Sequence, residues 1–158
     1  MSAGTRGGAV LALGALVLAG CGGTPPGGDP GGKRLEELAG DAVFAARPDG
    51  ATLVGTKRTK ATYQKPGFTG GGWRGPSVEV TITSGASPVD VYRFYGARAE
   101  AAGWSPGASG SFGVTDRWTK TYPDGARATL LFSLLGNPPA GSAGTYLLSG
   151  GVAPVVGR

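Results

Sequence analysis

The sequence predicts an α+β domain: an antiparallel β-sheet of about four to five strands with two helices packed on one face. Three observations predict it. SVEVTIT at 77–83 alternates polar and apolar residues with the period of a half-buried strand, and ARATLLFSLL at 126–135 places Ala128, Leu130, Phe132 and Leu134 on one strand face. Residues 88–102 carry apolar side chains at the three-four spacing of an amphipathic helix. Elements that each carry one apolar face bury those faces together when helices lie on one side of a single sheet.

The elements follow in order. KRLEELAGDAVFAA at 33–46 predicts a helix with Leu35, Leu38, Ala42 and Ala45 on one face. Gly40 weakens its middle by up to about 1 kcal/mol. Pro48-Asp49-Gly50 is turn chemistry, and ATLVGTKRTKATY at 51–63 reads as a strand near an edge. The glycine-rich GFTGGGWRG at 67–75 reads as a surface loop, and the next strand points Val78, Val80 and Ile82 inward.

The helix at 88–102 is marked at both ends. Ser87 caps it, Pro88 suits the first helical position, and Asp90 completes a capping box. Val91, Phe94, Tyr95, Ala99 and Ala102 share a face, with the aliphatic stem of Arg98 at its border. Gly103 takes C′ and Trp104 takes C″, where its ring folds back on the last turn.

FGVTDRWTKTY at 112–122 and ARATLLFSLL form a hairpin through Pro123-Asp124-Gly125. Phe112, Val114, Trp118 and Tyr122 share one face; Ala128, Leu130, Phe132 and Leu134 share another and are the best core candidates. Asp116 and Lys120 fall on the aromatic face of the first strand. That conflict predicts an edge, a bulge or a wet cleft between Trp118 and the helix. TYLLS at 145–149 supplies a further strand.

Ahead of the domain, Arg6 is the lone charge before Ala9–Ala19 (AVLALGALVLA), eleven residues without a polar side chain. That length fits a secretory apolar region and is too short to span a bilayer. Leu18-Ala19-Gly20-Cys21 then resembles the bacterial lipobox of aliphatic, small, small, cysteine. The resemblance implies a diacylglycerol thioether on Cys21, cleavage before it, and Cys21 as the first residue of the mature chain. Two acyl chains give stable anchoring where one gives only reversible binding. The expected organisation is a lipoprotein signal peptide at 1–20, the lipidated cysteine with a Gly/Pro tether at 21–32, a compact domain at 33–149, and a flexible tail or edge strand at 150–158. Stretched, the spacer GGTPPGGDPGG reaches roughly 35 Å.

A second resemblance covers roughly 35–135. The N-terminal helix, the Pro48-Asp49-Gly50-Ala51 turn and VYRFYGARAEAAGW at 91–104 followed by a hairpin look like small secreted or lipidated actinobacterial proteins. That family implies a compact α+β domain at the cell envelope, with Phe94, Tyr95, Gly103 and Trp104 as fold elements, and supplies no catalytic residues.

Composition narrows the chemistry. The chain has no histidine, one cysteine, ten acidic residues and a formal charge of +5. Without imidazole there is no Ser-His-Asp triad and no His/Cys zinc site, and a lipidated Cys21 leaves no thiol and no disulfide. No metal, cofactor or nucleic-acid motif is implied. Asp49 and Asp124 sit between proline and glycine, where turn chemistry accounts for them. Glu79 and Asp116 are the carboxylates a glycosidase would need to bring together. Lys57, Arg58, Lys60 and Lys65 are the one basic concentration and read as edge protection and solubility. The possible ligand or partner contacts are Trp73, with Arg74 beside it, and Trp118.

The expected function is a non-enzymatic envelope lipoprotein. It is held at the outer face of the cytoplasmic membrane through Cys21 and binds a protein partner or an amphiphilic ligand. A small hydrolase using carboxylate or Ser-Lys chemistry and an accessory subunit of a membrane complex are the alternatives.

Overall fold

The computed structural model describes residues 32–67, 70–107, 115–136, 138–139 and 141–153. Residues 1–31, with Cys21 and the expected signal segment, lie outside them, as do Phe112, Val114 and the chain beyond Ala153.

The chain begins with two short helices, α1 (Lys33–Ala39) and α2 (Ala42–Ala45), and continues as β1 (Thr52–Thr59), β2 (Thr62–Gly67), β3 (Gly70–Arg74) and β4 (Ser77–Ser84). The long helix α3 (Pro88–Ala101) leads to β5 (Ser105–Pro106), β6 (Thr115–Thr121), β7 (Arg127–Leu135) and β8 (Gly144–Val152). Six strands form one antiparallel sheet in the order β1-β4-β8-β7-β6-β5, and β2 and β3 form a two-stranded ribbon. Thr62 faces Arg74 in the ribbon just as Thr59 faces Ser77 in the sheet. The ribbon therefore prolongs the β1–β4 hairpin past a break at Lys60-Ala61.

This corrects the expected four to five strands and two helices. The sheet has six strands, the ribbon adds two more, and the helices are three among the described residues. The expected helix at 33–46 is broken at Gly40-Asp41. Asp41 adopts an extended backbone (φ −66°, ψ 130°) and its Oδ1 accepts from the Val43 amide at 3.2 Å, starting a new helix in a new direction. The buried set is consequently Leu35, Leu38, Val43 and Phe44, while Ala42 and Ala45 are exposed. The extra sheet strand, β5, has two residues, one of them a proline tolerated because it lies at the edge. Gly70–Arg74, expected as loop, is a strand of the ribbon.

One face of the sheet is covered by helices. Val78, Val80 and Ile82, Ala128, Leu130 and Phe132, and Tyr146, Leu148 and Val152 all point into the core against Leu38, Val43, Val91, Tyr95 and Ala99. Burying such aliphatic and aromatic side chains contributes about 1.5–3 kcal/mol each. An aromatic stack runs through the centre: Phe132 lies 4.6 Å from Tyr95, 4.9 Å from Tyr92 edge-on, and 5.5 Å from Tyr146. β8 lies inside the sheet between β7 and β4 and runs to Val152, so Gly150 and Val152 belong to the domain rather than to a tail. The Phe44 ring lies directly on Gly150, where an added Cβ would overlap it.

α3 matches its sequence signals. Ser87 Oγ accepts from the Asp90 amide at 3.3 Å and donates to Asp90 Oδ2 at 2.6 Å. At the other end Gly103 (φ +81°) donates to Glu100 O and Trp104 to Ala99 O, the paired bonds of a Schellman motif.

Candidate functional site

Two features surround α2, and the polar one fixes its position. Asp41 is buried, its side chain 4% exposed, and its Oδ2 accepts from Lys120 Nζ at 2.8 Å and from Trp104 Nε1 at 3.1 Å. Lys120 also donates to Ala102 O at 2.9 Å. One carboxylate thus ties the α1–α2 junction to β6 and to the end of α3. The apolar face of β6 accommodates a lysine because its charge is paired there and only a quarter of its side chain reaches solvent.

Tyr122 flanks this joint. Arg34 stacks 4.2 Å over its ring and pairs with Glu37 and Asp124. Burial raises the Tyr122 phenol above its ordinary pKa, the Asp41 charge adds to the rise, and Arg34 opposes it. Asp124 is held below the ordinary carboxylate value chiefly by the Ala126 amide, with Arg34 assisting.

The second feature is a groove of about 370 Å³ between α2 and α3. α2 and its exit contribute Ala42, Ala45, Ala46 and Arg47 to the lining. α3 contributes Phe94, Arg98, Ala101 and Ala102. Alanine methyls are too short to interdigitate, so the two helices leave a channel where larger side chains would have met. The bonds around it fix their relative direction. Lys120 joins Asp41 to Ala102 O, so the start of α2 lies beside the end of α3. Tyr95 Oη donates to Ala46 O at 3.1 Å, so the exit of α2 lies beside the middle of α3. Arg47 Nη1 donates to Phe44 O at 2.7 Å and to Ala46 O at 2.6 Å, and the Arg98 guanidinium lies 5.2 Å from the centre of the Phe94 ring. Burial raises the Tyr95 phenol and the neighbouring Arg47 opposes the rise.

The groove therefore has a cationic end, at Arg47, Phe94 and Arg98, and an end of bare alanine. Sequence reasoning named none of its residues as a site, because each alanine reads as an ordinary helix former. The Asp41–Lys120 pair left a partial signal: the lysine on an aromatic strand face, and an aspartate after glycine within a helical pattern.

The residues expected as contacts fall elsewhere and are not brought together. Trp118 is buried at 5% exposure on β6, beside Gly96 of α3; it is a core residue and not a surface contact. Arg74 Nε donates to Gln64 Oε1 at 2.6 Å across the ribbon. Of Trp73 only the backbone is described, opposite Tyr63. Glu79 and Asp116 do not form a carboxylate pair. Asp116 lies on the helix-covered face of β6, while Glu79 lies on the open face of β4 beside Lys57, three strand spacings or roughly 14 Å away.

Lys57 and Arg58 lie on the edge strand β1, 3.9 Å from Glu79 and 3.7 Å from Glu36 respectively. Lys60 sits at the break beyond β1, and the Lys65 side chain lies outside the described residues. Among the described residues no cluster of three or more acidic, cysteine or histidine side chains is placed to hold a metal, and no helix is long and apolar enough to cross a membrane. Comparison with protein-family models, with curated proteins and with solved structures finds no match for this chain.

Proposed function

We propose that this protein is a lipid-anchored, non-enzymatic binding module of the bacterial cell envelope, tethered through Cys21 at the outer face of the cytoplasmic membrane, with the α2–α3 groove as its ligand site. The observation that carries the binding reading is the groove itself. It is lined by five alanines, Phe94 and two arginines, and built on helices fixed by a buried polar joint. Ligand sites are commonly apolar concavities with a few placed polar groups, and this one lies at the lower end of their usual volume. The address rests on the Leu18-Ala19-Gly20-Cys21 sequence.

Two readouts test the reading. Cells fed a labelled fatty acid should incorporate label into the wild-type chain and none into Cys21→Ser; equal incorporation removes the anchor. The intact chain, extracted from membranes in mild detergent, should carry a bound amphiphile or partner that Ala45→Trp lacks. Equal recovery from both chains removes the groove as the site.

A further inference from the structure

Resting on the groove as the ligand site, we infer that its occupant is an anionic amphiphile with a single acyl chain, the charged head at Arg47 and Arg98 and the chain running along the alanines toward Ala102. Three observations specify that chemistry.

The first is polarity along the channel. Both cations lie toward its Phe94 end, and Ala42, Ala101 and Ala102 line the other. A ligand with charge and apolar surface interleaved gains little from such a division, whereas a head-and-tail molecule satisfies both ends. The second is charge. None of the lining residues is acidic, and Asp41, the nearest buried carboxylate, is already bonded to Lys120, Trp104 and the Val43 amide. The rim thus offers two guanidinium groups with no acid among the lining residues, which suits a carboxylate or phosphate oxygen. Arg47 is also held in place by the carbonyls of Phe44 and Ala46 through one nitrogen, so ordering it costs little when an anion arrives.

The third is size. About 370 Å³ is near the minimum for a small-molecule site. That volume suits a single alkyl chain better than the paired chains of a diacyl lipid. The alanine methyls make this wall largely apolar, as an alkyl chain requires, and the Asp41–Lys120 pair beside its far end is already bonded.

The test uses the full lipidated chain in its membrane and two photoreactive probes. Dodecyl phosphate and dodecylammonium each carry a diazirine at the chain terminus and are followed by mass spectrometry of the crosslinked peptides. The phosphate probe should label the α2–α3 segments, 42–47 and 98–102, at least 10-fold more than the ammonium probe. Ala45→Trp should abolish that labelling by filling the channel. Arg98→Glu should reduce it at least 5-fold while leaving the wild-type circular dichroism and melting profile. Equal labelling of the groove by both probes overturns the anionic head and leaves the groove standing as a site. Labelling by neither probe, or labelling that Ala45→Trp does not change, overturns both the inference and the site.

Discussion

The inner and outer sides of α2 are built on opposite terms. Inside, Val43 and Phe44 are buried and Asp41 is bonded to a lysine, an indole and a backbone amide. Outside, Ala42 and Ala45 meet only the edge of a groove. A four-residue helix has almost no intrinsic stability. It persists because the joint on its inner side fixes both its start and its direction. That division leaves the outer side free of packing demands, so the same helix is a structural strut inside and, in the proposed function, a binding wall outside.

The sharpest way to break the contrast is at the joint. Lys120→Met should destabilise the domain by about 3 kcal/mol, because it leaves the Asp41 carboxylate buried without its cation; a quarter-exposed lysine puts the cost at the low end for a buried pair. Denaturant unfolding measures it, and adding Asp41→Asn should recover at least about half of the loss, since Asn still caps α2. A cost below about 1 kcal/mol would mean that apolar packing, and not the ion pair, holds α2 in place.

A smaller effect separates the buried phenols from the surface. Burial raises Tyr92, Tyr95, Tyr122 and Tyr146 above their ordinary pKa. Between the unfolded and folded values the unfolded chain binds fewer protons, so stability is full below about pH 10 and falls as pH rises through the raised values. Denaturation midpoints measured across that range should decline. Tyr122→Phe should flatten part of the decline, and an unchanged slope would place the titration elsewhere.

The smallest effect belongs to the groove. Ala45→Trp should change stability by no more than about 0.5 kcal/mol, because the side chain enters open space on the exposed side of α2. Thermal melting checks it. A loss above about 1 kcal/mol would show that the alanine wall is packed and not available.

What the sequence disclosed follows the reach of each interaction. α3 was legible end to end because Ser87, Pro88, Asp90 and Gly103 act within one turn of themselves. β4 and β7 were legible because alternation records a face. The break between α1 and α2 was not, since Asp41 takes its partner from a lysine 79 residues away. The lysine itself registered as a conflict on β6, without indicating what resolved it. β3 was hidden because a run of glycines pairs through its backbone and leaves no side-chain pattern. The groove was hidden for a related reason: it is made by what the alanines lack. Trp118 reads from the sequence as a possible contact across a wet cleft, but its parity, the same even-numbered face as Leu130 and Phe132, puts it in the closed core.

The contact between Phe44 and Gly150 sets a rule for variation in this fold. The ring occupies the space that any side chain at 150 would need, so neither position is free alone. A larger residue at 150 requires a smaller one at 44, and a smaller residue at 44 leaves a hole over β8 that only a bulkier 150 refills. The two positions, one on a four-residue helix and the other in an interior strand, are sterically coupled across the core.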